Sequence, residues 1–331
     1  MSAIRDICIT LPFILNSMCA FAQDGRPGIL FREEPVFIDA ATVAYVSKDY
    51  YFTVSDFTGD NHAKLFRTTS PKLVRYRGGI LAVTGSTIMQ YSSNNQVVKF
   101  MDLSGMQVLD LIRIEDDIIA VLTNRRLVLW HRVNGVRNIG PFSDPPPVCG
   151  KLTANKTANS IVCAISGRTV CYDMNGDLNW TKEGAFFEIS APVIANSGEV
   201  VVVNRPLHSI TCYSNSGNLK WSKNRDARGC FDGCIVSGNY VTGGEECVMF
   251  YNLETGAVVR RVTILTPQNL VSTELGVLAV CSSEVDLISS SGGVKRLTRL
   301  PLGYGTNAFE MVNSRYGIIK DGPVLTTIDV K

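Results

Sequence analysis

Small or polar turn pairs, most of them with a glycine, recur about every forty residues along this 331-residue chain. Their spacing of 36 to 41 residues constrains the fold more than any other feature. A period of this length indicates one supersecondary unit used repeatedly, and it suits a four-stranded propeller blade. The turns are Thr58-Gly59, Asn94-Asn95, Asn134-Gly135, Asn175-Gly176, Ser216-Gly217, Thr255-Gly256 and Ser291-Gly292.

Each repeat contains four short strand-like runs, most of them with β-branched residues, as in Asp177 to Trp180, Ile189 to Ile194, Gly198 to Asn204 and Ser209 to Tyr213. Such runs, bounded by Gly, Asn and Ser, are typical of strands and hairpins. We therefore predict an all-β chain folded as a single β-propeller of four-stranded antiparallel blades. Seven repeats follow Gly59, and residues 25–59 hold four further strand-like runs, which gives eight blades, with seven as the alternative. Ring closure would then place Lys331 beside the blade of residues 25–59.

The composition fits a single propeller whose inner strands are buried. Hydrophobic residues make up 45% of the chain, as expected when inner strands are buried on both faces, so residues 25–331 are assigned to a single propeller domain. The net charge of +2 comes without a concentrated basic stripe, and no nucleic-acid partner is expected. The sequence also lacks paired histidines, a phosphate loop and a nucleophile elbow. No catalytic, cofactor-binding or metal-binding residue is therefore assigned.

Residues 1–24 differ in composition from the rest. An apolar stretch from Ile7 to Ala22 follows Arg5, and it is too short and too interrupted to predict a transmembrane helix. Two alternatives stay open: a secretory signal peptide cleaved after Ala22, or a retained extension that binds a partner. The placement of Cys163, Cys171, Cys212 and Cys281 inside apolar runs favours an intracellular, reducing compartment, whereas cleavage would indicate secretion.

Two cysteine groups raise specific questions. A two-residue turn at Gly167-Arg168 would place Cys163 and Cys171 on opposite faces of a hairpin, and a three-residue turn would bring them together. Cys230, Cys234 and Cys247 offer three thiolates for zinc but no fourth ligand, so a metal site there is the weaker hypothesis.

Two consecutive repeats carry a recognisable motif. Cys171-Tyr-Asp-Met-Asn-Gly176-Asp-Leu-Asn-Trp180 is followed by Cys212-Tyr-Ser-Asn-Ser-Gly217-Asn-Leu-Lys-Trp221, and a third repeat keeps Gly256 with Arg260 at the tryptophan position. This pattern resembles the repeat of the PQQ-like, or quinoprotein-dehydrogenase-like, propeller superfamily. The resemblance implies that Trp180, Trp221, Gly176, Gly217 and Gly256 dock one blade on the next. Elsewhere the docking residue is Leu109 or is absent.

The superfamily commonly has eight blades, and its enzymes use adjacent cysteines, a calcium site and a catalytic aspartate. None of these residues maps onto this chain, so the resemblance implies a non-catalytic member. The predicted function is a scaffold for protein–protein interactions, as a subunit of a larger assembly, with no cofactor and no small-molecule ligand. A secreted or envelope propeller of the same superfamily, or a quinoprotein-type enzyme using the central channel, are the alternatives.

Overall fold

The computed structural model describes residues 36–299, with gaps at 38–41, 48–49, 57–61, 70–71, 78, 93, 143–146, 148, 166, 184–189, 205–207, 225–232 and 282, and strands at 308–311, 316–321 and 324–329. Every regular element in these residues is a β-strand. No helix among them is long and apolar enough to cross a membrane. Residues 1–35, which include the leader at residues 1–24, lie outside the described residues, as do Cys230 and Lys331.

The strands form antiparallel sheets in which each strand pairs with the next along the chain. The first two sheets are β1 (Val36–Phe37), β2 (Thr42–Val46), β3 (Tyr51–Asp56), β4 (His62–Arg67), and β5 (Leu73–Tyr76), β6 (Gly79–Thr84), β7 (Thr87–Tyr91), β8 (Val97–Asp102). The third and fourth are β9 (Val108–Glu115), β10 (Ile118–Thr123), β11 (Leu127–His131), β12 (Gly135–Ile139), and β13 (Gly150–Asn155), β14 (Ser160–Ile165), β15 (Arg168–Tyr172), β16 (Leu178–Glu183).

The fifth and sixth sheets are β17 (Val193–Ile194), β18 (Val200–Asn204), β19 (Ser209–Tyr213), β20 (Leu219–Asn224), and β21 (Gly233–Val236), β22 (Asn239–Gly244), β23 (Cys247–Asn252), β24 (Val258–Thr263). The seventh is β25 (Pro267–Thr273), β26 (Gly276–Cys281), β27 (Glu284–Ser289), β28 (Val294–Arg299). The eighth has three described strands, β29 (Ala308–Met311), β30 (Tyr316–Asp321), β31 (Val324–Asp329). Seven four-stranded sheets confirm the all-β propeller class and fit the seven-blade alternative, while the count of eight stays a prediction.

The sequence repeat is offset by one strand from the sheets. The run from Asp177 to Trp180 was expected to begin a unit, but β16 pairs with β15 through Cys171 and Trp180 and so closes the fourth sheet. The reason is that a tight turn such as Asn175-Gly176 joins neighbouring strands of one sheet. The boundary between sheets falls instead at the longer connection before Val193.

The contacts divide the chain into two compact units. One unit contains Met1–Leu103 and Leu297–Lys331. Its first and second sheets share an apolar core in which the Phe52 ring lies 5.0 Å from Phe66 and 5.6 Å from Tyr91. The stacked rings bury a large apolar area between two sheets that each have only short strands.

The other unit, Ser104–Arg296, contains the third to seventh sheets up to the start of β28. The first strands of consecutive sheets contact one another in chain order, from β9 to β13, β17, β21 and β25. The middle strands, such as β14 and β26, are buried along their whole length. Apolar clusters fill the space between each pair of neighbouring sheets from the third to the seventh.

Fourth strands of three consecutive sheets contain a register shift at the same place. Asn179 in β16, Lys220 in β20 and Val259 in β24 each have no partner residue in the register with the third strand. A bulge of this kind re-aims the side chain of the extra residue. It places these three side chains at the turn side of the sheets, the end where the turns at Gly176, Gly217 and Gly256 lie.

Candidate functional site

Two tryptophans lie between consecutive sheets. Trp180 of the fourth sheet is 7% exposed, and its indole N–H donates to the main-chain oxygen of Asn215, in a turn of the fifth sheet, at 2.9 Å. Trp221 of the fifth sheet is 6% exposed and donates to the main-chain oxygen of Leu253, in the corresponding turn of the sixth, at 2.8 Å. Each indole therefore combines apolar burial with a satisfied polar edge.

Glycine is required at the turn that meets each tryptophan. Gly217 has a φ of +79°, and a Cβ there would lie 2.6 Å from Cγ of Trp180. Gly256 has a φ of +67°, and its Cβ would lie 2.6 Å from Cγ of Trp221. The left-handed conformation and the close approach of the ring both exclude a side chain. Four of the five residues assigned to docking therefore lie in two pairs, Trp180 with Gly217 and Trp221 with Gly256. The fifth, Gly176, lies against a residue of another type.

That neighbour is Ile139, the last residue of β12. A Cβ on Gly176 would collide with the Ile139 side chain, and Arg137 on the same strand donates to the main-chain oxygen of Asn175. Two side chains at the third-to-fourth junction therefore make the contacts that one indole makes elsewhere. The expectation that only Leu109 takes this position outside the motif repeats is wrong, because Leu109 lies in β9, the first strand of its sheet.

Arg260 occupies the tryptophan position at the sixth-to-seventh junction. A Cβ on Gly292, which has a φ of +90°, would lie 2.7 Å from the Arg260 Cδ, and the guanidinium donates to the main-chain oxygen of Ser290. Its guanidinium carbon also lies 5.6 Å from the centre of the Phe250 ring. An arginine stem and its planar head can replace an indole here because they offer both apolar contact and an N–H donor.

The polar layer at the fifth-to-sixth junction consists of an ion-paired lysine. Lys220, the bulge residue, lies 3.1 Å from Glu199 and also pairs with Glu254 of the sixth sheet. Burial alone would lower the pKa of Lys220, but hydrogen bonds and charges from Glu254 and Glu199 outweigh it and raise that pKa. Burial alone would raise the pKa of Glu199, but hydrogen bonds from Ser197, its own main chain and Lys220 lower it. The three charged side chains close this junction.

The polar layer at the fourth-to-fifth junction is neutral and open. Asn179 is the bulge residue at this junction. Ser160 precedes the buried Ile161, which pairs with Tyr172, and Glu199 precedes the buried Val200, which pairs with Tyr213. Ser160 and Glu199 therefore occupy equivalent positions in the two sheets. A cavity of about 520 Å³ lies here. Its lining residues are Ala158, Asn159, Asn179, Ser214, Asn215 and Ser216.

Two polar side chains link the first strands of neighbouring sheets, and neither was predicted from the sequence. Asp110 in β9 is 3% exposed and accepts hydrogen bonds from the main-chain N–H of Leu111 at 2.9 Å and Leu152 at 2.8 Å. Asn155 in β13 donates from one amide nitrogen to the Ile194 main-chain oxygen and the Asn196 side chain, each at 3.0 Å. Both residues hold sheets together, because their polar atoms satisfy groups on the next sheet.

A buried acidic pair was not predicted from the sequence either. Glu284 and Asp286 in β27 are 7% and 2% exposed, and Arg296 in β28 pairs with them at 2.7 and 3.8 Å. Burial raises the pKa of Asp286, the neighbouring Glu284 raises it further, and Arg296 only partly offsets this. The carboxylates of the third sheet differ from this pair, because Asp116 and Asp117 lie in a hairpin turn with exposed arginine partners.

The described cysteines are free thiols. Val162 pairs with Cys171 and Cys163 with Val170, so the two sulfurs lie on opposite faces, although the turn is one residue earlier than predicted. Cys234 pairs with Val241 and Cys247 with Gly244, which also places them on opposite faces of one sheet. Within the described residues no three His, Cys, Asp or Glu side chains come together as metal ligands. Burial raises the pKa of the Cys212 thiol to about 12, which makes it a poor nucleophile.

Solved structures share this fold at low sequence identity. BamB from Moraxella catarrhalis matches with a TM-score of 0.60 and 13% identity, over 91% of this chain and 94% of that chain. A chain of a mitotic checkpoint complex matches with a TM-score of 0.58 and 14% identity, over 78% and 86%. A streptogramin B lyase matches with a TM-score of 0.56 and 9% identity, over 78% and 92%. No protein-family model matches the chain, and no curated protein matches it.

Proposed function

We propose that this chain is a non-catalytic, PQQ-like propeller scaffold that binds other proteins as a subunit of a larger assembly. One observation carries the proposal: consecutive junctions repeat the same Trp–Gly contact and the same bulge, yet display different side chains at the turn side. A frame that holds its backbone constant while varying the exposed chemistry is what a specific binding surface needs.

Four polar side chains of the frame are occupied by contacts between sheets. Asp110, Asn155 and the indoles of Trp180 and Trp221 bond to main-chain atoms of the neighbouring sheet, and the buried Cys212 thiol stays protonated. These groups fix one sheet against the next, which gives the turns a rigid base. The exposed Asn, Ser and Asp side chains of the turns are then available to a partner.

Likeness to a chain of a mitotic checkpoint complex supports a propeller that works within an assembly. Likeness to a streptogramin B lyase is of the same order and concerns the fold alone, so an enzyme remains the alternative. A secreted or envelope propeller is the other alternative, and it depends on the leader at residues 1–24.

The test is size-exclusion chromatography of the protein from its native source, followed by cross-linking and mass analysis. We expect an intact chain of 36.2 kDa within a stable complex. Cross-links from Lys156, at the turn side, should outnumber those from Lys182, at the other end of β16. A chain that elutes alone would overturn the proposal, and a chain shortened by about 22 residues would favour the exported alternative.

A matched pair of charge reversals sharpens the assignment to the turn side. Lys156→Glu and Lys182→Glu reverse the same charge in the same sheet, the first at an exposed position that pairs with Glu115 and the second at a half-buried position. We expect Lys156→Glu to weaken recovery of the complex and Lys182→Glu to leave it unchanged. Equal effects would show that the turn side is not the binding surface.

A further inference from the structure

The cavity between the fourth and fifth sheets differs from the corresponding space one sheet further on. In that next space the Lys220 side chain lies between Glu199 and Glu254 and pairs with both carboxylates. Asn179 occupies the Lys220 position but is two heavy atoms shorter in reach and carries no charge. The cavity of about 520 Å³ therefore exists because the bulge residue does not fill it.

The lining offers hydrogen-bonding capacity without charge. Asn159 accepts one bond, from the Met174 N–H at 3.2 Å, and Asn179 makes one long contact to the Cys171 sulfur at 3.9 Å. Among the described residues the Asn215 side chain has no hydrogen-bond partner. A carboxamide has two N–H donors and an oxygen with two lone pairs, so most of this hydrogen-bonding capacity is unused within the described residues.

The backbone that presents these groups is fixed. The main-chain oxygen of Asn215 accepts the Trp180 indole bond, and Asn159 has a left-handed φ of 49° within a hairpin turn closed by its own N–H bonding to the Lys156 oxygen. A ligand that binds here meets groups already positioned, which lowers the entropy cost of binding.

We infer that this cavity binds a neutral segment of a partner protein that presents main-chain or side-chain amides. The inference rests on the proposed scaffold function and names the site where it operates. Carboxamides pair with amides in both directions, whereas the absence of charge on Asn159, Asn179, Asn215 and Ser216 gives no advantage to an acidic or a basic segment. The volume falls in the range of about 300–1,000 Å³ that is typical of binding pockets and holds a few side chains.

The experiment pans a phage-displayed library of random twelve-residue peptides against the full chain. Enriched peptides are then tested by titration against the Asn179→Ala/Asn215→Ala double variant. We expect neutral peptides rich in Asn, Gln, Ser and Gly, whose affinity falls at least about tenfold in the variant, as loss of two hydrogen bonds predicts. Both side chains are exposed, so the variant should keep the melting temperature of the wild type.

Lys220→Met is the matched control, since it alters the next junction and leaves the cavity residues in place. Peptides that bind all variants equally, or that are strongly acidic or basic, would overturn the inference. Binding of neutral oligosaccharides in place of peptides would overturn it too. If the native complex forms through other turns and the panning enriches no peptide that binds the cavity, only this inference fails and the scaffold function stands. If the chain elutes alone from its native source, the scaffold function itself fails.

Discussion

The fourth-to-fifth and fifth-to-sixth junctions share one apolar design and differ in their polar layer. In both, a tryptophan on the fourth strand packs on a left-handed glycine of the next sheet and donates to a main-chain oxygen beside it. One polar layer is a closed cluster of Lys220 with two glutamates, and the other is an open cavity lined by Asn and Ser. The comparison shows that the contacts between sheets are the same at both junctions, whereas the polar side chains at the turn side differ.

The largest effects should follow loss of either tryptophan. Trp180→Ala and Trp221→Ala each remove a buried indole and its hydrogen bond, and we expect each to cost about 3–5 kcal/mol of unfolding free energy. Urea denaturation measures both, with Val133→Ala, at an 89% exposed position, as a control that should change little. A difference between the two tryptophan variants of more than about 2 kcal/mol would show that the junctions are not equivalent.

Next in size are alanine substitutions of the docking glycines. Gly217→Ala and Gly256→Ala place a Cβ at a left-handed φ and against a ring, which we expect to cost about 2–4 kcal/mol. Gly238→Ala is the matched control, because its φ of +72° is similar but no atom lies within 4 Å of the added Cβ. It should cost only the strain, about 1–2 kcal/mol. Equal losses at all three positions would mean that the indole contact is unimportant.

A smaller effect on stability should distinguish the polar layer of the fifth-to-sixth junction from that of the fourth-to-fifth junction. Lys220→Met leaves Glu199, whose side chain is 15% exposed, without its cation, and we expect a loss of about 1–2 kcal/mol that shrinks in 1 M salt. Asn179→Met changes an exposed neutral residue and should alter stability by less than about 0.5 kcal/mol. Melting temperatures of both variants at low and high salt test this, and a salt-dependent loss in Asn179→Met would contradict it.

The smallest effect concerns acid. The folded pKa of Glu199 is lowered from 4.5, so its contribution to stability is present above the unfolded pKa and is lost as the pH falls through the folded value. The difference between wild type and Lys220→Met should therefore narrow as the pH drops below about 4.5. Thermal unfolding of both proteins from pH 7 to pH 3 measures it. A gap that stays constant would mean that Glu199 is not stabilised by Lys220.

Periodicity carried most of the fold prediction, because turns and β-branched runs are local signals. The strand from Ser209 to Tyr213 was predicted with its observed bounds. The phase of the repeat was missed, since sequence spacing does not distinguish a turn within a sheet from a connection between sheets. The motif predicted that Trp180 and Trp221 dock one blade on the next, but not which glycine each of them meets. Ile139 and Arg137 share no residue type with tryptophan, and the sequence did not predict their contacts.

The cavity could not be predicted either. Asn179 is an ordinary strand residue in the sequence, and only the register shift opposite Cys171 shows that it is a bulge. Asp110 and Asp286 lie in apolar runs that read as plain strands, and their burial depends on partners in other strands. Such sites depend on contacts between distant residues, which a pattern within one repeat does not record.

The tryptophan contacts also allow the integrity of these junctions to be measured by intrinsic fluorescence. The chain has three tryptophans, and two of them sit where one sheet meets the turn of the next. An indole that leaves such a junction for water shifts its fluorescence emission to longer wavelength. In the Trp130→Phe background, emission therefore comes only from the two junctions that flank the fifth sheet. Binding at the neighbouring turns can then be followed optically without any attached label.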